Sequence, residues 1–348
     1  MIAVASDPEM QTRKLQKVGG STYTVSIPKR WARDHGLDAG DEVHLYGHGD
    51  GSLVVRGSET DGGRLDGVRI AVECEGGEAV ERALRAAYAS GFEEIELVAE
   101  DGFSDDQRRT ASSLAKTLVG TEVVEESDDR LAVRNLLDPD DVSVRQSLIQ
   151  LEFVALSMHR SATAAATERA NADHVPGRDD EADRLCAMIT RHFRRSLTDF
   201  GELDRLGLDR TELVEFRLAA RQLERVADHA VDIARTARAL DSPNESETPD
   251  ELAPLRDDLE SVADASRRVV DEATDALLDG DAAETAHGAL DLRDEAVADG
   301  EALNRALFER ASDDAYRLTT VVDSLVRTAE CGGNVAEVAV QSAIRGPE

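Results

Sequence analysis

The residues with the clearest chemical potential are carboxylates at intervals of four along two predicted helices. Glu224, Asp228 and Asp232 share one helix face, where their mutual repulsion destabilises the helix unless a cation neutralises them. Asp179 and Asp183 form a similar pair on the preceding predicted helix. Two facing helices that each supply carboxylates at i and i+4 can surround a hard or borderline metal ion with oxygen ligands. The spacing therefore indicates a candidate metal site.

The same spacing also allows a purely structural interpretation. Arginines close in sequence can neutralise these acids without any metal. They are Arg178, Arg184, Arg221 and Arg225. His229, beside Asp228, can add or orient a nitrogen ligand. On spacing alone, metal binding and ordinary surface charge both stay open.

These carboxylates belong to a region with the pattern of packed helices. From about residue 142 to the C-terminus, apolar residues recur every three to four positions, which is typical of a helical bundle. Helix-breaking segments divide this region into six predicted helices, three on each side of the linker 241–249. The breaks lie at 176–177, 201–207, 242–254, 280 and 311–312.

The two halves of the helical region are related in sequence. R-V-A-D-H-A-V-D-I-A at 225–234 matches R-T-A-E-C-G-G-N-V-A at 327–336, which lies 102 residues further on. We therefore predict a tandem repeat of an all-α three-helix bundle, with the first copy at residues 142–241 and the second at 250–345.

Composition excludes several classes of protein. Of the 348 residues 41% are hydrophobic, so a packed core is expected rather than disorder. No run of 18 apolar residues occurs, and we expect no membrane insertion. The first nine residues lack the basic start and apolar stretch of an export signal, so a cytoplasmic location is expected. Cys74, Cys186 and Cys331 are too few and too far apart for a disulfide framework or a closed thiolate zinc site.

The charged residues are strongly biased toward acids and arginine. Asp and Glu number 72 against 40 Lys and Arg, for a formal net charge of −32. Only four of the basic residues are lysines. An acidic surface with few lysines suits a cytoplasm rich in salt, where dense carboxylates keep a protein hydrated. We expect a halophilic archaeal origin, in which an acidic surface cluster is commonplace.

One segment reverses this acidic bias. Residues 11–33 carry six basic side chains and no acid. The six are Arg13, Lys14, Lys17, Lys29, Arg30 and Arg33. Sparing one segment from a global acidic bias indicates an anionic partner, of which a nucleic-acid backbone is the leading candidate. The alternative is that these residues pair with acidic surface elsewhere in the protein.

Short predicted elements hold these basic residues. The predicted strands are 14–18, 23–27, 42–46 and 53–56, with a helical segment at 29–35. A unit of this size buries too little apolar surface to be stable alone, so we expect it to dimerise.

The run 13–56 resembles the swapped-hairpin AbrB/SpoVT class of DNA-binding domain. The resemblance lies in the order of an apolar-Pro-Lys stretch at 27–29, a short helix, and a Gly-Asp-Glu turn at 40–42. It implies an N-terminal domain at residues 10–57 in which two chains interleave into one small β barrel, with paired basic loops over the DNA groove. The implied DNA-binding residues are Arg13, Lys14, Lys17, Lys29 and Arg30.

Residues 66–136 predict a small α+β domain. Their pattern is strand, helix, strand, helix and two further strands, after a polar linker at 58–66. This stretch contains no nucleophile, metal-ligand spacing or phosphate loop. Gly76–Gly77 before a helix can in principle hold an anion, but a helix entry needs such residues anyway, so the structural interpretation is preferred. We expect this domain to couple its two neighbours.

The helical region resembles the phosphate-uptake-regulator family, PhoU. The resemblance rests on D-D-E-A-D-R-L at 179–185 and L-E-R-V-A-D-H-A-V-D-I-A at 223–234 inside a tandem repeat. The family's mark is an E/D-x-x-x-D motif on two helices of each bundle, associated with iron, zinc, manganese or magnesium ions. The resemblance implies that Asp179, Asp183, Glu224 and Asp228 bind such divalent or iron ions, with Asp232 one turn further along the helix.

The second repeat keeps only part of this motif. Glu295 and Asp299 can stand for one half. In the other half Val326 replaces the equivalent of Glu224, Glu330 that of Asp228, and Asn334 that of Asp232. A complete second site is therefore not expected.

The two resemblances together imply a multidomain regulator and no enzyme. We expect a homodimer that binds DNA through its N-terminal domain and relays phosphate status through the metal-binding helical repeats. The alternative is an adaptor that does not bind DNA and inhibits the ATPase of a phosphate transporter by direct contact. A metal-dependent hydrolase ranks last, because no nucleophile or base is placed as catalysis requires.

Overall fold

The computed structural model describes most of the chain. Its described residues are 12–20, 22–47, 51–57, 65–72, 76–199, 201–240, 253–279, 282–310 and 312–345. Cys74 and the predicted linker 241–249 lie outside them. The chain divides into two compact units, 1–62 and 63–348.

The first unit consists of two β hairpins and a short helix. Its elements are β1 (Gln16–Val18), β2 (Thr22–Thr24), α1 (Lys29–Asp34), β3 (His44–Gly47) and β4 (Leu53–Arg56). β1 pairs with β2 and β3 pairs with β4, both antiparallel, in two separate sheets. Pro28 is the N-cap of α1, which it precedes with a fixed φ of −59°. The described strands of one copy do not close into a barrel, so a barrel formed by two interleaved copies stays a prediction.

None of the described residues of this unit is buried. Its large apolar side chains are exposed instead. They include Leu15, Val18, Tyr23, Leu45 and Leu53, each more than half exposed. The physical reason is size, since four short strands have no second layer to pack against within one copy.

The second unit begins with the expected α+β domain. Its elements are β5 (Gly67–Ala71), α2 (Gly77–Ser90), β6 (Glu94–Val98), α3 (Asp105–Thr117), β7 (Thr121–Glu126) and β8 (Arg130–Asn135). The sheet order is β5-β6-β8-β7, with β5 parallel to β6 and the other pairs antiparallel. α2 and α3 pack on the sheet around a core that contains Leu84, Tyr88, Leu97 and Leu131. The predicted domain composition is therefore confirmed.

The remaining chain is helical. After a 3₁₀ turn at Pro139–Asp141, its helices are α4 (Val144–Glu168), α5 (Val175–Ser196), α6 (Gly201–Leu206), α7 (Arg210–Leu240), α8 (Ala253–Asp279), α9 (Ala283–Phe308) and α10 (Asp313–Arg345). The first repeat contains α4, α5 and α7, and the second contains α8, α9 and α10. The predicted three-part fold class is confirmed, while the domain limits stay predictions.

The observed helices differ from the predicted ones in two details. The short helix α6 occupies the segment interpreted as a break at 201–207, because three of its six residues are buried against the bundle. Pro176 does not separate two helices but lies in the first turn of α5, where a missing backbone N–H costs nothing.

The two helical repeats share one hydrophobic core. Buried residues of α4, α5 and α7 are continuous with those of α8, α9 and α10 in a single cluster. α7 packs along α10, and α4 packs against α8. The repeats are thus halves of one body rather than independent bundles.

Two arginines of α5 join the α+β domain to this helical body. Arg191, which is fully buried, donates to the carbonyl oxygens of Tyr88 (3.0 Å) and Phe92 (2.8 Å). Arg195 donates to the carbonyl oxygen of Gly91 at 3.0 Å. These carbonyls lie at the C-terminal end of α2, which a cation stabilises. Gly91, with φ of 101°, leaves room for the Arg195 side chain, since a Cβ there would lie 2.8 Å from its Cγ.

A buried acid completes the joint. Glu202 of α6 is fully buried and accepts from His192 Nδ1 at 2.6 Å and from Arg195 Nε at 3.2 Å. Burial alone would raise the pKa of Glu202, but these hydrogen bonds hold the pKa below its usual value. The acid therefore keeps its charge and balances Arg195.

A lipid bilayer could not be spanned by any helix in the described part of the chain.

The close packing of α8 against α10 depends on a glycine of α10. A Cβ on Gly332 of α10 would lie 2.8 Å from the backbone nitrogen of Val270 on α8. We expect Gly332→Ala to lower the free energy of unfolding by about 1–3 kcal/mol, because the two helices must separate. Denaturant titration in a salt-rich buffer measures this free energy.

Gly288 of α9 is the matched control. A Cβ on Gly288 would meet no atom within 4 Å. Gly288→Ala is expected to raise the free energy of unfolding by about 0.5–1 kcal/mol through helix propensity. Equal effects of the two substitutions would contradict the close α8–α10 contact.

A buried acid between α4 and α8 gives a pH prediction. Glu152 of α4 is only 8% exposed and its Oε1 atom has no hydrogen-bond partner. Burial raises the pKa of Glu152 to about 8, and repulsion by Asp271 and Asp275 acts in the same direction. Because this pKa lies above the unfolded value of about 4.3, stability contributed by protonated Glu152 is complete at acid pH and is lost as pH rises through about 8.

We expect Glu152→Gln to remove this pH dependence. Above pH 8 the variant should be more stable than the wild type. Between about pH 5 and 9 its free energy of unfolding should change less with pH, and the two slopes should differ by up to ~1.4 kcal/mol per pH unit. Denaturant titrations across that range provide the measurement. Glu168→Gln, at an exposed position of the same helix, should keep the wild-type slope. If Glu152→Gln keeps the wild-type slope, the raised pKa of Glu152 is contradicted.

Candidate functional site

The structure brings four of the predicted metal ligands together in the first repeat. Asp179 and Asp183 lie on α5, and Glu224 and Asp228 lie on α7, which packs against it. We call these four residues the carboxylate cluster. Asp183 repels both Glu224 and Asp228, and Asp228 repels Asp179. The i, i+4 spacing on two neighbouring helices therefore produces the convergence that the sequence predicted.

The cluster is partly withdrawn from water. Burial raises the pKa of Glu224 to about 7 and that of Asp179 to about 6, and like charges in the cluster add to both shifts. Burial also raises the pKa of Asp183 and of Asp228. Glu224 Oε2 and Asp179 Oδ1 are buried without a hydrogen-bond partner. These acids are held in a site where their charges are incompletely balanced.

Two arginines form ion pairs with acids of the cluster. Arg221 Nη1 lies 2.5 Å from Glu224 Oε1. Arg85 of α2 reaches across from the α+β domain, with its Nη1 atom 3.2 Å from Asp183 Oδ2 and its Nη2 atom 3.6 Å from Asp180 Oδ1. Arg221 was among the neutralising residues predicted from sequence. Arg85 was not, because it lies almost a hundred residues away, and its only local signal is the i, i+4 pair with Glu81.

Asp232 and His229 lie toward the edge of this arrangement. Asp232 is exposed and its Oδ1 atom lies 3.5 Å from Arg235 Nη1. Burial lowers the pKa of His229, and Arg327 of α10 lowers it further. His229 therefore faces a cation of the second repeat, and neutral imidazole is its favoured form.

The described residues of the second repeat form no comparable cluster. Glu295 and Asp299 of α9 and Glu330 of α10 are all exposed. Val326 takes the position equivalent to Glu224 and packs against Gly300 of α9, where a Cβ would lie 2.4 Å from Val326 Cγ2. An apolar contact thus occupies the place where a carboxylate stands in the first repeat.

The carboxylate cluster is not a closed ligand cage. Within the described ranges, no group of three or more His, Cys, Asp or Glu side chains has the geometry to hold a metal ion. The chemistry of the donor set still fits a hard cation, since two oxygens of the cluster lack partners and all four residues carry raised pKa values. A cation bound here requires side-chain rearrangement, and its presence stays a prediction.

The predicted DNA-binding residues all lie at the surface of the first unit. Lys17 is in β1, opposite Tyr23 of β2. Lys29 and Arg30 form the first turn of α1. All five predicted residues, Arg13, Lys14, Lys17, Lys29 and Arg30, are exposed. Arg30 has an acidic neighbour in Asp34, but at 3.8 Å between two exposed side chains this contact is weak.

The other anion candidate considered from sequence is occupied by the protein itself. Asp106 Oδ2 accepts the backbone N–H of Gly77 at 3.0 Å, at the first residue of α2. The helix entry at Gly76–Gly77 therefore already holds a carboxylate, in agreement with the structural interpretation.

Two parts of the chain match known protein families. Residues 148–237 match the PhoU domain. Residues 16–59 match the family described as antidote-toxin recognition MazE, bacterial antitoxin. Both resemblances predicted from sequence are thereby confirmed, the second as a MazE/AbrB-like domain. The carboxylate cluster lies inside the PhoU match, and Lys17, Lys29 and Arg30 lie inside the MazE match.

The PhoU match indicates regulation of phosphate transport, and the MazE match indicates DNA binding or an antitoxin-like function. Among solved structures, PhoU from Pseudomonas aeruginosa is similar, with 20% sequence identity and a TM-score of 0.44 over 59% of this chain and 96% of that chain. No curated protein gives a significant match.

The charge balance of the cluster gives a prediction. Because the pKa of Glu224 is about 7, keeping it ionised at pH 8 costs stability in the absence of a cation. We expect Glu224→Gln to raise the unfolding free energy of the metal-free protein by about 1 kcal/mol at pH 8. Added Mn²⁺ should then stabilise the wild type more than the variant. Thermal unfolding with and without the metal is the measurement.

Glu301→Gln, an exposed glutamate of α9, serves as the control and should behave as the wild type in both conditions. If Mn²⁺ stabilises all three proteins equally, or none of them, the cluster is ordinary surface charge.

Proposed function

We propose that this protein is a DNA-binding regulator of phosphate uptake. The observation that carries the proposal is the presence of a MazE/AbrB-like domain and a PhoU domain in one chain. A chain that combines both can couple phosphate status to the occupancy of an operator without a separate DNA-binding protein. PhoU proteins are regulatory rather than catalytic, which supports a role without chemistry of its own.

The first unit supplies the DNA-binding surface. All six basic side chains of residues 11–33 are exposed on or beside β1 and α1, within a chain of net charge −32. A patch of that sign in a protein of the opposite sign attracts phosphate backbones and repels the protein's own acidic surface. The predicted contacts are made by Arg13, Lys14, Lys17, Lys29 and Arg30.

Two copies of the chain are needed to build that surface. The lone unit exposes Leu15 (71%), Tyr23 (65%), Leu45 (61%) and Leu53 (58%). Apolar side chains at this density on so small a unit favour burial against a second copy, as expected for interleaved hairpins. The protein is therefore proposed to act as a homodimer.

The helical body supplies the signal. In this proposal the carboxylate cluster binds a divalent or iron ion, and the cluster is linked to the α+β domain through Arg85 and Asp183. A coupling free energy of ~1–3 kcal/mol between the body and the DNA-binding dimer changes DNA affinity by about 5–150-fold. The second candidate function, an adaptor that contacts a phosphate-transporter ATPase, uses the same helical body and leaves the basic surface without a role.

Neutralising the basic surface separates these two functions. We expect the double variant Lys29→Gln and Arg30→Gln to bind promoter DNA of phosphate-transport genes at least about tenfold more weakly than the wild type. The slope of log affinity against log salt concentration should become shallower by about two, because each lost phosphate contact removes roughly one from this slope. Fluorescence anisotropy in molar KCl measures both quantities. Dimerisation, measured by light scattering, should not change, because both side chains are exposed.

Lys116→Gln is the matched control, since Lys116 is an exposed lysine of α3 outside the basic segment. It should bind DNA as the wild type does. Equal affinity of the wild type for unrelated DNA, or unchanged affinity of the double variant, would contradict a specific operator-binding role and favour the adaptor.

A further inference from the structure

An open cavity of about 500 Å³ lies at one end of the first helical repeat, outside the carboxylate cluster. It is formed where α4 ends, α5 begins and the C-terminal part of α7 passes. Its charged and polar lining consists of Arg169, Asn171, Asp173, Arg235 and Arg238. The remaining lining is small, mainly alanine and Pro176.

The charge of this cavity is opposite to that of the chain. Three arginines face one carboxylate, which leaves two positive charges, in a protein whose acids outnumber its bases 72 to 40. Arg238 is hydrogen-bonded to Asp173, and this contact holds the pKa of Asp173 below its usual value. Asp173 is therefore ionised and already engaged, so that it does not cancel the other two guanidinium groups.

Those other two groups are available to a ligand. Arg235 has only a long contact, 3.5 Å, to Asp232, and both side chains are exposed. Arg169 has no hydrogen-bond or ion-pair partner for its side chain within the described ranges. Arg169 also has φ of +57°, the one positive φ of a residue other than glycine among the described residues. This is the left-handed conformation in which helices commonly end, and Arg169 is the C-cap of α4.

We propose that this cavity binds a dianionic phosphate group. Guanidinium groups present paired N–H donors that match the oxygens of a phosphate, and the lining of the cavity carries a net charge of +2, equal in size to that of a phosphate dianion. α5 also begins at the cavity, with Pro176 in the lining, and the side chain of its N-cap residue His174 makes no capping hydrogen bond. The positive end of this helix adds to the attraction. The volume accommodates either free phosphate or the phosphate group of a nucleotide.

The location connects this site to the carboxylate cluster. α5 begins at the cavity and carries Asp179 just over one turn later. Arg235 of the cavity lowers the pKa of Asp179, so the two sites interact electrostatically. A phosphate that engages Arg235 draws this positive charge away from the cluster. The phosphate site itself does not depend on the proposed function. The inference rests on the proposed function only where it makes phosphate the signal that the helical region receives.

Isothermal titration calorimetry of the full-length protein, without DNA and in molar KCl at pH 8, tests the site. One arm uses inorganic phosphate and the other adenosine 5′-monophosphate. We expect saturable binding at one site per chain in at least one arm. Binding of only the free ion identifies inorganic phosphate, and binding of only the nucleotide identifies a phosphate ester. The absence of saturable binding in both arms overturns the proposal.

Substitutions of the cavity arginines test whether the ligand binds in this cavity. Arg169→Asn, which tolerates a positive φ, and Arg235→Gln should each weaken binding roughly tenfold, because each removes a charged hydrogen-bond donor. Arg194→Gln, at an exposed arginine in the last turn of α5, should bind as the wild type does. All the substituted side chains are exposed, and thermal unfolding checks that each variant is folded. Wild-type affinity in the combined Arg169→Asn and Arg235→Gln variant overturns the proposal.

The phosphate affinity is measured independently of the proposed DNA binding. Loss of phosphate binding in these variants with retained DNA affinity supports the site and leaves operator binding standing. Phosphate binding by a wild type that fails to bind DNA would remove the regulator proposal and keep the phosphate site.

Discussion

The arrangement of the second unit depends on two buried arginines of α5. Arg191 and Arg195 place their guanidinium groups on the last carbonyls of α2, at distances of 2.8–3.0 Å. A buried guanidinium that loses its partners costs several kcal/mol, so the α+β domain cannot slide over α5 without stranding a charge. Burial also lowers the pKa of Arg191, to about 10, yet the group stays protonated at physiological pH. α2 and α5 are consequently positioned as one rigid element.

That constraint also determines which residues surround the carboxylate cluster. With α2 fixed on α5, Arg85 of α2 is held beside Asp183 and Asp180 of α5. The cluster is thus completed by a residue of a different domain. A cation that binds Asp183 competes with the Arg85 guanidinium for the same oxygens, and a change at the cluster is felt by the α+β domain first. In sequence the middle domain lies between the MazE match and the PhoU match, which is the position that the proposed coupling requires.

Local patterns predicted local structure well, and tertiary contacts explain the rest. The strands and helices of the α+β domain were predicted because alternating and amphipathic patterns there agree with a single buried face. The convergence of Asp183 and Glu224 followed from helix periodicity. α6 was missed because its flanking glycines resemble a loop, whereas burial of Leu203 and Leu206 stabilises the helix. Arg85 and Arg191 could not be assigned from sequence, because their partners lie on another domain and no local pattern encodes that contact.

The arginine bias of the chain is more than a surface property. Many arginines lie exposed among acids, but Arg191, Arg195 and Arg267 are buried and hydrogen-bonded inside the protein. Arg267 of α8 donates to Glu260 at 3.0 Å and lies beside His159 of α4, whose pKa is lowered to about 3 by burial and by that arginine. A planar guanidinium can satisfy several acceptors at once, whereas a lysine ammonium offers a single point charge. Arginine therefore both joins the parts of this protein and, at the α5 end of the first repeat, forms its candidate phosphate site.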